Sequence, residues 1–202
     1  LDTAMRDGEF QIGTLFNFRK TEQYGTTIGD VDEGKMSTYL TSVEPIEFDL
    51  LSDDPRATHT RQVLKGWDGL PAGSTVTIRM EPNSFFELDE QSADVFIYCA
   101  TTTYDAEAMK RFGYDACLSI DNPEKFFDEL TLSLGSRVTK MVSANVEYGE
   151  RRIPHDKPDK IHPAFIKPLS SKYQQEFRVV WEPVAGDSPE VLVVRCATAA
   201  KY

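Results

Sequence analysis

Lys172-Tyr-Gln-Gln-Glu-Phe-Arg-Val-Val-Trp-Glu-Pro183 joins a polar approach to an apolar run, and Glu176 stands where that run begins. The β-branched and aromatic residues from Phe177 to Trp181 predict a strand. Another strand is predicted from Val191 to Cys196. Between them the turn-rich Val184-Ala-Gly-Asp-Ser-Pro189 makes the end of the chain read as a hairpin. The remainder of the chain then bears on one question, which is what the Glu176 carboxylate faces.

Working outward, Lys140 to Tyr148 reads as a strand, and Gly149 to Pro168 as a basic, proline-bearing connection with Arg151, Arg152, His155, Lys157, Lys160, His162 and Lys167. Asp121-Asn-Pro-Glu124 opens a helix, with proline in the first turn and an apolar stripe through Phe126, Phe127, Leu130 and Leu134. Tyr104 to Phe112 reads as a helix capped by Asp105, or by Thr103, and stopped by Gly113. Tyr114 to Ile120 reads as a strand. Ala93-Asp-Val-Phe-Ile-Tyr-Cys-Ala100 is almost continuously apolar, as expected of a strand covered on both faces.

Nearer the start, Glu9 to Phe18 predicts a strand that bends at Gly13 into a short helix or turn. Thr26 to Gly34 reads as a loop and Lys35 to Val43 as a strand. Glu44 to Asp54 reads as acidic and irregular, and Arg56 to Gly66 as helix or strand. Trp67 to Gly73 is dense in turn residues, and Ser74 to Met80 alternates as a strand with one buried face. Phe85-Phe86 and the acidic Glu87, Asp89 and Glu90 lead on to the central apolar run. The expected architecture is α+β, a single domain over residues 1–202, with a mixed, mainly antiparallel sheet and two or more short helices.

Composition limits what this domain does. Against 22 Lys and Arg stand 33 Asp and Glu, a net charge of −11. That opposes diffuse attraction to phosphate backbones, so nucleic acid is expected only through a local basic patch. No run approaches the roughly 20 apolar residues of a membrane span, and no basic segment followed by an apolar one opens the chain. Cys99, Cys117 and Cys196 lie in apolar contexts without a C-x-x-C pair, which predicts reduced core thiols in a cytoplasmic protein. The first residue is leucine, which fits a trimmed chain or one that begins inside a longer product.

G-x-S-x-G, G-x-x-x-x-G-K-[ST], G-x-G-x-x-G and H-E-x-x-H are all missing, so serine hydrolysis, P-loop phosphate binding, dinucleotide folds and zincin chemistry lose their usual signals. The histidines at 59, 155 and 162 are too scattered for a metal site. Gly29-Asp-Val-Asp-Glu-Gly34 offers three carboxylates, without the ligand spacing of a calcium loop. They read as a solvated turn, or as partners of Arg151 and Arg152.

What remains is a distributed set: Arg19 after the first strand, Thr101-Thr102-Thr103 after the central strand, and Gln174-Gln-Glu176 before the late strand. This order resembles the ADP-ribosyltransferase superfamily. The resemblance implies NAD as substrate, with Arg19 on the diphosphate and Thr101, Thr102 and Thr103 about the nicotinamide site. Glu176 would be the catalytic carboxylate acting on the ribose that loses nicotinamide. A carboxylate there stabilises the positive charge that develops on the sugar, and a guanidinium forks onto phosphate oxygens. Gln174 replaces the glutamate of arginine-modifying members, which implies asparagine or another acceptor. Tyr24, Tyr98 and Tyr104 are candidates to stack on a ring of the cofactor.

A broader likeness runs through Phe10-Gln-Ile-Gly-Thr-Leu15, Gly29 to Gly34, Phe112 to Ile120, Val146-Glu-Tyr148, Phe165-Ile-Lys-Pro168 and Tyr173 to Arg178. These pieces are similar to a family of uncharacterised bacterial and phage proteins ending in K-Y-Q/E-x-E-[FY]-R, which implies a setting among defence or counter-defence genes. The structural alternative is that Glu176 pairs with Arg178 or with a base of the preceding connection. The rival function is a non-catalytic, acidic interaction protein whose stretches Glu44 to Asp54 and Glu87 to Glu90 meet the basic surface of a bacterial protein partner.

Overall fold

The computed structural model of the chain describes residues 4, 7–63, 74–155 and 162–202. Its strands in chain order are β1 (Glu9–Thr14), β2 (Lys35–Thr41), β3 (Ile46–Asp49), β4 (Thr77–Met80), β5 (Phe85–Gln91), β6 (Phe96–Thr101), β7 (Val138–Asn145), β8 (Glu147–Tyr148), β9 (Arg152–Pro154), β10 (Ile166–Lys167), β11 (Glu176–Pro183) and β12 (Leu192–Arg195). The α-helices are α1 (Thr21–Ile28), α2 (Pro55–Val63), α3 (Ala106–Phe112) and α4 (Pro123–Leu134). Strand, at 35%, outweighs helix, at 29%, in a mainly antiparallel α+β arrangement. No helix among the described residues is long and apolar enough to cross a membrane.

The chain gathers into two compact units, one of residues 1–34, 92–149 and 162–202, the other of 35–91 and 150–161. In the first, a five-stranded sheet runs in the order β12-β1-β6-β11-β7. The alternation of β11 divides this sheet. Phe177, Val179 and Trp181 share one face, and Glu176, Arg178 and Val180 the other. On the first face, α4 lays its stripe of Phe126, Phe127, Leu130 and Leu134 against Phe10, Ile12, Phe96, Val179, Trp181 and Val194. Asn122 caps that helix with its side chain on Lys125 N–H, and Pro123 follows, as the sequence suggests. Asp105 caps α3, and Gly113 closes it at φ 71°.

In the second unit β2 lies between β5 and β9, and β3 pairs with β4. Leu40, Phe48, Leu50, Ala57 and Met80 form its core. Asp54 hydrogen-bonds the Arg56 guanidinium, which lowers its carboxyl to about 2, and Glu87 accepts from Ser37 and Arg152. Part of the acidic surface assigned to partner binding is therefore neutralised within this unit.

Several expectations are corrected. The terminal strands do not form a hairpin, because β6 and β7 occupy both edges of β11 and β12 pairs with β1 instead, Phe10 opposite Val194 and Ile12 opposite Leu192. Tyr114 to Ile120 is an exposed irregular stretch. There the Tyr114 N–H closes α3 on the Met109 carbonyl and its ring stacks on Phe112. The loop expected from Thr26 begins only after α1, the acidic Glu44–Asp54 stretch contains β3, and Phe85–Gln91 is a strand. Gly13 is no bend. It lies within β1, where that strand changes partner from β12 to β6, and a Cβ there would meet the Phe18 ring at 3.1 Å.

The thiols are not all core thiols either. Cys99 and Cys117 are exposed and Cys196 is buried; Cys99 pairs with Arg178 near the end of β6, and Cys117 lies in the irregular stretch. The turn-rich segment at Trp67 to Gly73, the bases Lys157 and Lys160, and the side chains of Tyr24 and His59 lie outside the described residues.

Candidate active site

On the face of β11 away from α4, four charged side chains from separate parts of the first unit meet. Arg178 is 1% exposed and Glu33 fully buried. The guanidinium forks onto the Glu33 carboxylate, Nη1 donating to Oε1 at 2.7 Å and Nη2 to Oε2 at 3.1 Å, with Nη1 also donating to the Ala164 carbonyl. Its Nε donates to Glu176 Oε2 at 2.7 Å. Lys167 Nζ takes the other Glu176 oxygen, Oε1, and also donates to Gln174 Oε1 at 2.6 Å. Two cations and two carboxylates balance, which is what makes burying four charges tolerable.

Burial alone would push the Glu176 carboxyl upward, but the Arg178 and Lys167 charges outweigh it and hold the group below its ordinary value. Arg178 shows the converse, with burial working against its charge and the Glu176 and Glu33 carboxylates raising it. Folded Glu176 therefore binds protons less readily than unfolded Glu176. Its contribution to stability is complete above the ordinary glutamate value and is withdrawn as pH falls through the lowered one. Urea midpoints measured from pH 7 down to pH 3 should fall in that acid range, and the fall should be shallower for Glu176→Gln. Equal slopes for the two proteins would contradict the assignment.

Glu33 reaches this network because of the residue after it. Gly34 has φ 71°, and a Cβ there would lie 2.5 Å from Cδ2 of the fully buried Leu15. Gly34→Ala should cost about 1–3 kcal/mol in thermal unfolding, from left-handed strain and the clash; a change below 0.5 kcal/mol would contradict it. Arg19 joins through the same residue, with Nε donating to the Glu33 carbonyl at 2.7 Å and its guanidinium stacked 3.9 Å from the Phe16 ring centre.

The three sequence islands thus converge. Thr101 is the cross-strand partner of Glu176. Thr102 donates both its N–H and its hydroxyl to the Gln175 carbonyl, and Gln175 holds a left-handed conformation at φ 45° that turns the chain into β11. Thr101 donates its hydroxyl to the Thr103 carbonyl, and Tyr104 is largely exposed. Gln174 is 3% exposed and tied at both ends, to Lys167 and to the Thr27 carbonyl. Buried and anchored in this way, it is not presented to an acceptor. Tyr98 packs edge-on against Phe126 and Phe127 on the α4 side, away from this network.

Glu176 keeps a foothold in solvent, with its side chain 12% exposed. It lines a groove of about 570 Å³ together with Thr102, Asn145, Tyr148, Lys172 and Tyr173. Tyr148 accepts the Glu176 N–H at 2.8 Å and stands beside Lys167 across the β8–β10 ladder. Tyr173 hydrogen-bonds the Thr27 carbonyl, and Arg111 lies over its ring at 4.7 Å. Arg19 is not among the described residues that line the groove.

The sequence reading gives no role in this network to Glu33, does not single out Lys167 among the bases of the connection expected to pair with Glu176, where both it and Arg178 do pair, and passes over Tyr148. One signal for the first two lies in the opening stretch, because strict alternation places Arg178 on the same face as the buried Val180 and so demands a buried counter-charge. Among the described residues no group of three or more His, Cys, Asp or Glu is placed to hold a metal ion. No family model, curated protein or solved structure matches the chain.

Proposed function

We propose that the chain is an NAD-handling enzyme of ADP-ribosyltransferase-like chemistry, with Glu176 as the carboxylate beside the reacting ribose. The observation that carries this is that Glu176, the cross-strand partner of Thr101, lines a groove together with Thr102, Tyr148 and Tyr173. A carboxylate has about four acceptor positions, and Lys167 and Arg178 occupy two of those on Glu176. Acceptor capacity remains for ribose hydroxyls, and the group stays ionised as positive charge develops on the sugar. Arg19 supports the site indirectly, by fixing Glu33 beneath Arg178. A bacterial or phage setting, cytoplasmic action and a role in defence or counter-defence belong to the same proposal.

Purified protein incubated with labelled NAD and a bacterial extract tests it. Label should leave NAD with release of nicotinamide, either onto a protein target or as free ADP-ribose, and intact NAD after prolonged incubation would sink the reading.

The closed ion network favours a second reading, in which Glu176 is structural and the protein acts by binding a basic bacterial partner. Under that reading the exposed Asp53 should matter and NAD should not. Pull-down of one partner, lost on Asp53→Asn with NAD untouched, would establish it.

A further inference from the structure

Arg19, the residue expected on the diphosphate, is committed to the Glu33 carbonyl and the Phe16 ring, and the groove does not include it. Lys172 is the cation in the described lining. It is exposed, on the 3₁₀ turn Leu169–Gln174 that leads into β11. In a chain of net charge −11, this groove is a local exception. The one carboxylate in its described lining, Glu176, already faces Lys167 and Arg178, which leaves the Lys172 ammonium to favour an anion.

Tyr148 adds a directed donor. Its hydroxyl oxygen accepts the Glu176 N–H, and a phenol has a single O–H to give. That proton is therefore turned away from the Glu176 amide, on a side chain that forms part of the groove wall. Thr102 offers no equivalent, because its hydroxyl is committed to the Gln175 carbonyl. The groove thus asks for an anion at Lys172, an acceptor oxygen at Tyr148 and hydroxyl donors at Glu176. A ribose bearing a phosphate supplies all three.

We propose that this groove is a ribose-phosphate subsite in which Lys172 binds the phosphate and Tyr148 donates to a sugar oxygen; the assignment rests on the NAD reading above and moves the phosphate contact from Arg19 to Lys172. Calorimetric titration with ADP-ribose, which presents the groups without turnover, tests it on the wild type, Lys172→Gln, Tyr148→Phe and the exposed control Lys20→Gln, alongside nicotinamide release from NAD. Lys172→Gln should weaken binding about tenfold, the loss of one charge-assisted contact, and should flatten its salt dependence. Tyr148→Phe should weaken it about threefold or more at an unchanged salt slope, and Lys20→Gln should bind as the wild type does. Because Tyr148→Phe also removes the acceptor for the Glu176 N–H, its melting temperature is compared first; if it unfolds, Lys172→Gln carries the test. Unchanged binding in Lys172→Gln, or failure to bind ADP-ribose by a wild type that still cleaves NAD, overturns the subsite alone. A wild type that neither binds ADP-ribose nor cleaves NAD overturns the subsite and the NAD reading together.

Discussion

Arg178→Met should destabilise the protein by about 3–5 kcal/mol, the cost of stripping one partner from a buried ion pair, and this is a large share of the roughly 5–15 kcal/mol that holds a typical domain together. The guanidinium makes four described contacts: two with Glu33, one with Glu176 and one with the Ala164 carbonyl. Methionine fills much of the volume and replaces none of them. Glu176 would keep Lys167, but the fully buried Glu33 would lose both hydrogen bonds to its carboxylate that Arg178 supplies. The damage should be reparable at that residue. Arg178→Met with Glu33→Met removes the stranded charge along with its partner, and the pair should recover more than half of the loss in urea unfolding. A single variant within 1 kcal/mol of the wild type, or a double variant no better than the single, would show that the network does not carry the stability assigned to it.

The same network shows where the sequence is legible and where it is not. The strand at Phe177–Trp181 and the stripe of α4 follow from short-range alternation and helical spacing, because each apolar set had one core to cover. The caps at Asp105 and Asn122 are equally local. Strand pairing is another matter: β12 reads as the hairpin partner of β11 because the two are adjacent in sequence, yet β6 and β7 compete successfully for the edges of β11. Tyr114–Ile120 has strand-forming residues, but among the described residues no strand pairs with it.

The site divides along the same line. Glu176, Thr101 and Thr102 converge as the sequence order suggests. Gln174 does not face an acceptor, because it ends the 3₁₀ turn Leu169–Gln174 ahead of β11 and its buried amide is held by Lys167 and the Thr27 carbonyl. Glu33 is concealed among the acidic residues of a loop that reads as solvated, and only its contact with Arg178, 145 residues away in sequence, reveals its role.

The second large effect is catalytic. Glu176→Gln keeps the shape of the side chain and its acceptor oxygen towards one cation, and replaces the other oxygen with an amide that meets Arg178 or Lys167 as donor against donor. Fold should survive with a loss of about 1–3 kcal/mol. Chemistry should not, because a neutral amide cannot offset the positive charge growing on the ribose, and loss of such an electrostatic group typically costs on the order of 10²–10³ in rate. Lys167→Met gives a useful contrast. It removes one restraint on Glu176 while leaving the carboxylate, so it should lower the rate less than Glu176→Gln while destabilising the fold at least as much.

The most direct measurement is the rate of nicotinamide release from NAD by wild-type protein and by Glu176→Gln, each first shown to be folded by its thermal transition. Release by the wild type, reduced on the order of 100-fold or more in the variant, is the result expected of a catalytic Glu176. Release at equal rates from two folded proteins, or from neither, would contradict it and leave Glu176 as the structural partner of Lys167 and Arg178.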